Sequence, residues 1–246
     1  MSQIASLITE TENHRSIFEE CIRKLDVPVC AAFREGGSLA PIAFAGGSEA
    51  ISTKDTSNVT LSFPRTSAAS ANKVLVATGK NPAPARGKRV AVLFSGGPAA
   101  GGHNVIAGLK RILGTDNTLL GVRAGPKGLL EGKLFEITDA DCAWILNTGG
   151  FDFLGSDRTK IKKDEQFAAV KKTCLDNDLD AIVVVGGDDS NTNAAILAEY
   201  LFSGVKKDGR GVQVIGAPKT TTATCRSATS SPSRSGSTPP PASTRR

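Results

Sequence analysis

Apolar and polar positions alternate in two patterns between residues 89 and 218. Short continuous apolar runs predict buried parallel strands, because a strand covered on both faces is apolar at every position. These runs are Val90–Phe94, Leu119–Val122, Ala181–Val185 and Val212–Ile215. The stretches between them predict helices at His103–Leu113, Asp139 to about Leu146, Asp164–Leu175 and Asn191–Phe202. Asp139 would cap its helix, and Ser203 with Gly204 would close the last one. Such alternation predicts an α/β fold with a doubly wound, mainly parallel Rossmann-like sheet flanked by helices.

Upstream of Arg89 the pattern is less regular. A helix is predicted around Ser16–Leu25, and the residues after it mix Gly, Ser, Ala and short apolar runs. Asn81–Gly87 has the composition of a linker. We therefore divide the chain into an N-terminal extension with linker at residues 1–88 and an α/β domain at residues 89–220.

The composition changes abruptly after Thr220. Residues 221–246 contain 13 Ser or Thr, four Pro and four Arg, with no acidic residue and no Val, Ile, Leu, Phe, Met, Trp or Tyr. A segment without large apolar side chains cannot bury enough surface to fold, which predicts a disordered tail. The tail also carries most of the net charge of +6, because residues 1–220 hold 26 basic and 24 acidic groups. A basic tail without aromatic residues gives weak grounds for nucleic-acid binding, and we expect none.

Cysteine and histidine usage exclude some classes of site. The five cysteines show no Cys-x-x-Cys pairing, and the two histidines are too few for a metal-binding cluster. Scattered cysteines in odd number favour a reducing compartment over a disulfide framework. No apolar run approaches the ~18–20 residues of a membrane span, and the N-terminus lacks a signal-peptide pattern. A cytoplasmic protein that binds no membrane is the expectation.

Three loops of unusual composition follow predicted strands, at the carboxyl ends where sheets of this class bind ligands. Ser95–Gly102 is rich in glycine, which lets backbone approach an anion ahead of a helix N-terminus. A tight strand-to-helix turn is the alternative for that loop. Gly216–Thr220 places Lys219 after the last strand, where it would clamp phosphate unless it is solvated surface. Arg158 is a further candidate for anion binding, with a surface salt bridge as its alternative.

The remaining loop, Gly186–Asn191, contains two adjacent carboxylates, Asp188 and Asp189. Adjacent carboxylates at the end of a buried strand are costly unless they hold a cation or cap a helix. Capping by Asp189 or Ser190 would explain one residue, but neither the preceding Gly-Gly pair nor the second carboxylate. The composition therefore favours magnesium–phosphate chemistry at this loop.

Together these strings resemble the phosphofructokinases, specifically their pyrophosphate-dependent branch. The resemblance covers about Arg89–Thr220 and rests on four motifs in the family's order: Phe94–Asn104, Leu154–Arg158, Gly186–Ser190 and Pro218–Thr220. It implies transfer of a phosphoryl group from pyrophosphate to the 1-hydroxyl of fructose 6-phosphate, a step of glycolysis, with Mg²⁺. It also implies a homo- or hetero-oligomer for the full-length protein.

The resemblance also implies roles for individual residues. Those that would bind the phosphate donor are Gly96, Gly97, Arg158 and Ser190. Asp188 would hold the magnesium. Asp189 stands where ATP-dependent members have glycine, so its carboxylate would exclude the α-phosphate of a nucleotide. Lys219 likewise replaces a glycine and would stabilise the phosphoryl group in transfer, a reaction that depends mainly on charge neutralisation and alignment.

The resemblance ends where the family continues Lys-Thr-Ile-Asp-Gly-Asp-Leu, whose first Asp is the base that accepts the proton of the sugar hydroxyl. This chain has Thr222 at that position. A threonine hydroxyl cannot serve as that base near neutral pH, so the chain is expected to be inactive. The family's later sugar-phosphate-binding segments are also missing, so we expect exposed apolar surface and poor solubility.

A single-nucleotide deletion explains this ending. Removing the T of an ATC codon from a gene for Lys-Thr-Ile-Asp-Gly-Asp-Leu gives Lys-Thr-Thr-Thr-Ala-Thr-Cys, which stands at residues 219–225. In the same restored frame, the codons of Arg234–Pro241 allow Ser-Phe-Gly-Phe-Asp-Thr-Ala-Thr, a string that the family carries at about that distance. A genuine Ser/Pro-rich tail would give no family string in another frame. We therefore interpret residues 221–246 as a frameshift product.

Two other functions stay open at this point. An ATP-dependent small-molecule kinase, similar to NAD or lipid kinases, also carries a Gly-Gly-Asp loop after a strand, although the strings around Arg158 and Lys219 argue against it. A non-catalytic regulatory subunit of the same family would have lost the base, although Asp188, Asp189 and Lys219 are retained.

Overall fold

The computed structural model describes residues 17–26, 34–35, 38–39, 42–50, 56–70, 73–80, 86–206 and 208–219. Most of the predicted linker, Thr220 and the tail that contains Thr222 lie outside these ranges. Among the helices within them, none combines the length and the apolar content needed to cross a bilayer.

The described residues form eight helices and ten strands. The helices are α1 (Ile17–Arg23), α2 (Thr56–Ser62), α3 (Pro64–Ser70), α4 (Gly102–Leu113), α5 (Gly125–Leu130), α6 (Asp139–Ile145), α7 (Asp164–Asp176) and α8 (Asp188–Tyr200). The strands are β1 (Arg34–Glu35), β2 (Ser38–Leu39), β3 (Ile42–Ala50), β4 (Lys73–Lys80), β5 (Arg89–Ser95), β6 (Thr118–Val122), β7 (Leu134–Glu136), β8 (Ser156–Asp157), β9 (Ala181–Gly186) and β10 (Gln213–Pro218).

A mainly parallel sheet organises the residues from β5 onwards. Its strands lie in the order β10–β9–β5–β6–β7, with the short β8 paired to the end of β5. All of these pairings are parallel except that of β6 with β7. The chain builds β5, β6 and β7 towards one edge and then places β9 and β10 on the other side of β5. The predicted doubly wound α/β fold is therefore confirmed.

Both faces of the central strands are buried, which explains their continuous apolar sequence. Successive residues of a strand point to opposite faces. Ala91 and Leu93 of β5 therefore join a core cluster with residues of α7 and α8, whereas Val92 and Phe94 pack in a second cluster that includes residues of α4 and α6. Coverage is thinner at the edge strand β10, where Ile215 is 51% exposed.

Two helix starts differ from the sequence prediction. Helix α8 begins at Asp188, three residues before the predicted Asn191, and its capping residue is Gly187, with no side-chain capping bond. Neither Asp189 nor Ser190 therefore caps the helix; both lie in its first turn. Helix α6 is capped by Thr138 rather than Asp139: the Thr138 hydroxyl accepts from the Asp141 amide and the Asp141 carboxylate accepts from the Thr138 amide.

The end of α8 and several short elements were also not predicted correctly. The helix ends at Tyr200, and Leu201 rather than Ser203 is its C-terminal capping residue. The three-residue β7, the two-residue β8 and the six-residue α5 were missed. Elements of this length carry too few residues for a periodic pattern. Helices and strands upstream of β5, including the antiparallel pair β3–β4, were not predicted either, apart from α1.

Asn147 attaches helix α1 to the α/β domain. Its side-chain amide donates to the carbonyls of Ile22 and Leu25, at the C-terminal end of α1. Asn104 of α4 holds Asn147 in turn, through one bond to its side chain and one to its backbone amide. Asn147 adopts a positive φ of 59°, a conformation that asparagine tolerates better than most residues.

Glu199 attaches the helix α3 in a similar way, from the C-terminal part of α8. Its carboxylate accepts from the amides of Arg65 and Thr66 and from the Thr66 hydroxyl, at 2.8–2.9 Å. These amides belong to the first turn of α3, behind Pro64, so their hydrogens have no partner within the helix. Glu199 therefore caps a helix of the N-terminal extension from within the domain.

The loop between α6 and β8 is held by the buried His103. Phe153 donates its amide to His103 Nε2 (3.4 Å), so Nδ1 carries the proton and donates to the Thr148 hydroxyl (2.8 Å). Thr148 donates onward to the Ile145 carbonyl. Burial lowers the pKa of His103, and the Asp152 carboxylate 3.3 Å away offsets part of that effect. The neutral imidazole is thus the form that the fold selects.

Replacing Glu199 with Ala is expected to loosen α3 without unfolding the domain. The lost capping bonds correspond to about 0.5–2 kcal/mol of local stability. Hydrogen exchange measured by mass spectrometry should therefore become several-fold faster at the amides of residues 56–70, with little change in the strands of the sheet. Glu165→Ala, a change at an exposed carboxylate on α7, is the matched control. Equal protection of residues 56–70 in both variants would contradict the capping role.

The free energy of unfolding is expected to fall on acidification through His103. Because burial holds its pKa below the ordinary value of about 6.5, the unfolded chain binds this proton more readily than the folded one. The contribution of His103 to the free energy of unfolding is therefore complete above about pH 6.5, and it declines as the pH falls towards the pKa of His103 in the folded state. Urea unfolding of the original chain and of His103→Asn between pH 7.5 and 5.5 measures it. The difference between the two should shrink at low pH; a constant difference would contradict the assignment.

Candidate functional site

The carboxyl ends of β5, β9 and β10 lie side by side. The ladder places Ser95 opposite Gly186, and Gly186 opposite Pro218. The loops that follow these strands, together with the segment after β8, therefore meet at one edge of the sheet, as the sequence predicted.

These loops enclose an open cavity of about 460 Å³. Its lining residues are Ser95, Gly96, Gly97, Arg158, Thr159, Lys160, Gly187, Asp188, Asp189, Ser190, Asn193 and Lys219. Every predicted site residue that the structure describes is among them, and Thr222 lies outside the described residues. The structure therefore brings the predicted residues together at one place.

The glycine loop after β5 lies against the segment that carries Arg158. Gly96 has a φ of 91°, which other residues rarely adopt, and its amide donates to the Asp157 carbonyl at 2.9 Å. A Cβ at Gly97 would lie 3.3 Å from an Arg158 guanidinium nitrogen. Glycine here leaves room for the guanidinium beside the backbone.

The first glycine of the Gly186-Gly187 pair is explained by the close approach of α8. A Cβ at Gly186 would lie 2.3 Å from the Cβ of Ser190, so no other residue fits without moving the helix. The Ser190 hydroxyl donates to the Ser95 hydroxyl at 2.8 Å and joins the first turn of α8 to the end of β5. Glycine thus permits the first turn of α8 to face the cavity directly.

Asp188 and Asp189 are both exposed in the first turn of α8. The expectation that they pay a burial penalty at a strand end is therefore wrong; the helix carries them out of the sheet. Carboxylates in a first turn interact favourably with the helix dipole. Among the described residues, Asp188 has no cationic side chain within ion-pair distance, whereas Asp189 pairs with Lys160.

The donor set of this turn fits a magnesium ion bound together with a phosphate ligand. Mg²⁺ usually takes one or two carboxylates plus phosphate oxygens and water rather than a cage made entirely of protein groups. Across the described ranges, no group of three or more His, Cys, Asp or Glu side chains could hold a metal alone. A single exposed carboxylate such as Asp188, facing a cavity lined by cations, fits a site in which protein and phosphate ligand hold the Mg²⁺ jointly.

Lys219 is positioned by contacts along its whole length. Its backbone amide donates to the Gly186 carbonyl at 2.8 Å, and its ammonium donates to the Gly97 carbonyl. The ammonium also lies 5.5 Å from the ring centre of Phe151, which is stacked on Phe94. A cation in this position adds to the favourable interaction through the aromatic face. Lys219 therefore connects its own loop to the other two.

Sequence reasoning missed Lys160 and Asn193. Lys160 forms an ion pair with Asp189 at 3.0 Å, and the Asn193 side chain both accepts from the Ile161 amide and donates to the Ile161 carbonyl. Lys160 stands two residues after the predicted Arg158, so its place beside that motif could have marked it as a candidate site residue. Asn193 gave none, because asparagine inside a helix has no distinctive pattern.

The cavity has the chemistry of a phosphate site. Three cationic side chains, Arg158, Lys160 and Lys219, face two carboxylates, and the N-terminus of α8 adds a partial positive charge. Guanidinium and ammonium groups bind phosphate oxygens through charge-assisted hydrogen bonds. None of the three cysteines that the structure describes lines the cavity. Burial raises the pKa of Cys174, in the core, to about 12, and burial also raises the pKa of Cys142.

Comparison with known families and proteins agrees with this chemistry. A sequence model of the phosphofructokinase family matches residues 89–226. Two curated relatives are pyrophosphate–fructose 6-phosphate 1-phosphotransferases, from Treponema pallidum and Porphyromonas gingivalis. The first is 52% identical over 138 residues, covering 55% of this chain and 23% of the relative. The second is 52% identical over 134 residues, covering 53% and 24%. The chain thus spans about a quarter of the length of these relatives.

Among solved structures, the phosphofructokinase of Pichia pastoris in its T-state is similar, with 27% identity and a TM-score of 0.44 over 50% of this chain and 13% of that one. The family match covers more than half of the 246 residues, and it contains all three cavity loops and the segment that carries Arg158. The chain belongs to the phosphofructokinase family.

Proposed function

We propose that residues 89–220 form the phosphate-donor part of a pyrophosphate-dependent 6-phosphofructokinase, which acts on fructose 6-phosphate in cytoplasmic glycolysis. The observation that carries the proposal is the meeting of Gly97, Asp188, Asp189, Arg158 and Lys219 around one cavity. The relatives at 52% identity carry the name of this activity. An ATP-dependent NAD or lipid kinase is less well supported, because the family match points elsewhere.

The side chains of the cavity suit an anion with several charges. Arg158 and Lys219 would neutralise the oxygens of pyrophosphate and align them, which is most of what phosphoryl transfer requires of a protein. The backbone of Gly96 and Gly97 would lie beside the donor, and Ser190 would add a hydroxyl. A bound Mg²⁺, held by Asp188 and the phosphates, would supply further charge neutralisation.

Asp189 would select the donor. Pyrophosphate ends where a nucleotide continues into its α-phosphate and sugar. A carboxylate at that point repels the additional phosphate, so the nucleotide is rejected by an unfavourable contact. Lys219 would act on the phosphoryl group itself, since its ammonium contacts the glycine loop in the cavity that the first turn of α8 also lines.

Transfer of the phosphoryl group to fructose 6-phosphate requires a base that accepts the proton of the sugar hydroxyl. We propose that Thr222 replaces the aspartate through a single-nucleotide deletion, and that the chain as written binds the donor without transferring phosphate. A non-catalytic subunit of the same family is the alternative, since relatives of this chain include proteins named as alpha and beta subunits in Arabidopsis thaliana. An oligomer, of one or two kinds of chain, is proposed for the full-length protein.

Replacing Lys219 with Met is expected to weaken binding of magnesium pyrophosphate by tenfold or more. A hydrogen bond to a charged group contributes about 1.5–3 kcal/mol, and 1.4 kcal/mol corresponds to a factor of ten. Isothermal titration calorimetry with the 246-residue chain measures the affinity. Lys172→Met, on the exposed side of α7, makes the same charge change away from the cavity. Equal affinities for the two variants would contradict the donor site.

The chain as written is expected to give no turnover of fructose 6-phosphate with pyrophosphate, because Thr222 cannot accept the proton. Formation of fructose 1,6-bisphosphate in a coupled assay tests this, alone and after mixing with an active member of the family. Sequencing of the transcript across the codons for Gly216–Arg246 tests the deletion directly. An extra nucleotide that restores Ile-Asp-Gly-Asp would support it. Turnover by the unmixed chain would overturn the assignment of Thr222, and activation of a partner would favour the regulatory subunit.

A further inference from the structure

Lys160 forms the only ion pair that the structure gives to Asp189 within the described residues. Its ammonium lies 3.0 Å from the Asp189 carboxylate, across the cavity mouth from the segment after β8 to the first turn of α8. The side chains are 46% and 80% exposed, so the pair adds little to stability. In the structure, this contact directs the Asp189 carboxylate towards Lys160.

The backbone around Lys160 is fixed on both sides. On one side, the Asp157 carboxylate accepts from the Thr159 amide at 2.7 Å, and the Asp157 carbonyl accepts from Gly96. On the other side, the buried Ile161 exchanges two hydrogen bonds with the side-chain amide of Asn193, at 3.1 and 2.8 Å. The base of the Lys160 side chain therefore has little freedom.

Helix α8 holds this segment at two points one turn apart. Asp189 and Asn193 are separated by four residues and therefore lie on the same face of the helix. Asn193 bonds to the backbone next to Lys160, and Asp189 bonds to its ammonium. The distance between the backbone of Lys160 and the backbone of Asp189 is thus set by the fold rather than by the ion pair.

We propose that Lys160 is a positioning residue that determines donor specificity by holding the Asp189 carboxylate across the mouth of the cavity. The inference rests on the proposed donor function and extends it. If the Asp189 carboxylate could rotate into solvent, a ligand longer than pyrophosphate would fit. When Lys160 holds the carboxylate in the cavity, it occupies the space that a nucleotide would need. Lys160 therefore favours pyrophosphate over nucleoside triphosphates through Asp189, without needing to touch either ligand.

Calorimetric titration of the 246-residue chain with magnesium pyrophosphate and with magnesium ATP tests the proposal. The variants are Lys160→Met, Lys160→Arg, Asp189→Gly and the double variant of Lys160→Met with Asp189→Gly. Lys162→Met is the matched control, because this exposed lysine lies two residues away and does not line the cavity. The measured quantity is the ratio of the two dissociation constants.

In Lys160→Met the preference for pyrophosphate over ATP should fall at least fivefold, with ATP binding more tightly than to the original chain. Lys160→Arg should retain the preference, and Lys162→Met should not change it. The double variant should show no larger loss than Asp189→Gly alone, because residues that act through one another are not additive. An unchanged ratio in Lys160→Met, or additive losses in the double variant, would overturn the proposal.

Failure of the donor function would be visible separately. If the original chain binds no pyrophosphate, the proposed function fails, and the titrations with ATP still decide the role of Lys160. Tighter ATP binding by Lys160→Met and Asp189→Gly, again without additivity, would support the positioning role. Unchanged ATP binding in both would overturn it.

Discussion

Parallel pairing of three strands is the constraint on which the rest of the site depends. Because β5, β9 and β10 run in the same direction and in fixed register, Ser95, Gly186 and Pro218 end at the same level of the sheet. Residues about 90 and 30 positions apart in sequence are thereby brought within hydrogen-bonding distance, as between Ser190 and Ser95. No single loop could assemble this set of charges, since each contributes one kind of group.

The central strands were predictable because burial on both faces leaves a clear sequence pattern. β5 and β9 were located to within a residue at each end, and the reversal of strand order followed from the alternation with helices. Helix α8 was located less well because its capping residue, Gly187, makes no side-chain capping bond. The residues of its first turn, Asp188–Ser190, are also of types that are typical of loops. The capping bonds that Asn147 and Glu199 make to α1 and α3 join residues more than 100 positions apart, which no local pattern reports.

The residues of the site were predictable to the extent that their types are unusual. Paired aspartates after Gly-Gly are unusual enough to suggest chemistry from sequence alone, whereas Lys219 became a candidate through its place beside the other two loops. Lys160 and Asn193 are ordinary residues whose importance comes from their neighbours: one pairs with Asp189 and the other with the backbone of Ile161. Their contribution is a matter of geometry, which appears only once α8 and the segment after β8 are placed against each other.

The balance of charge in the cavity has a kinetic consequence. With Arg158, Lys160 and Lys219 against two carboxylates, and with the start of α8 nearby, the empty cavity attracts anions from a distance. Such attraction is screened over about 10 Å at 0.1 M ionic strength. The rate of capture of a phosphate ligand should therefore decline as salt is added. Its residence time should decline less, because it depends on short contacts with the half-buried Lys219.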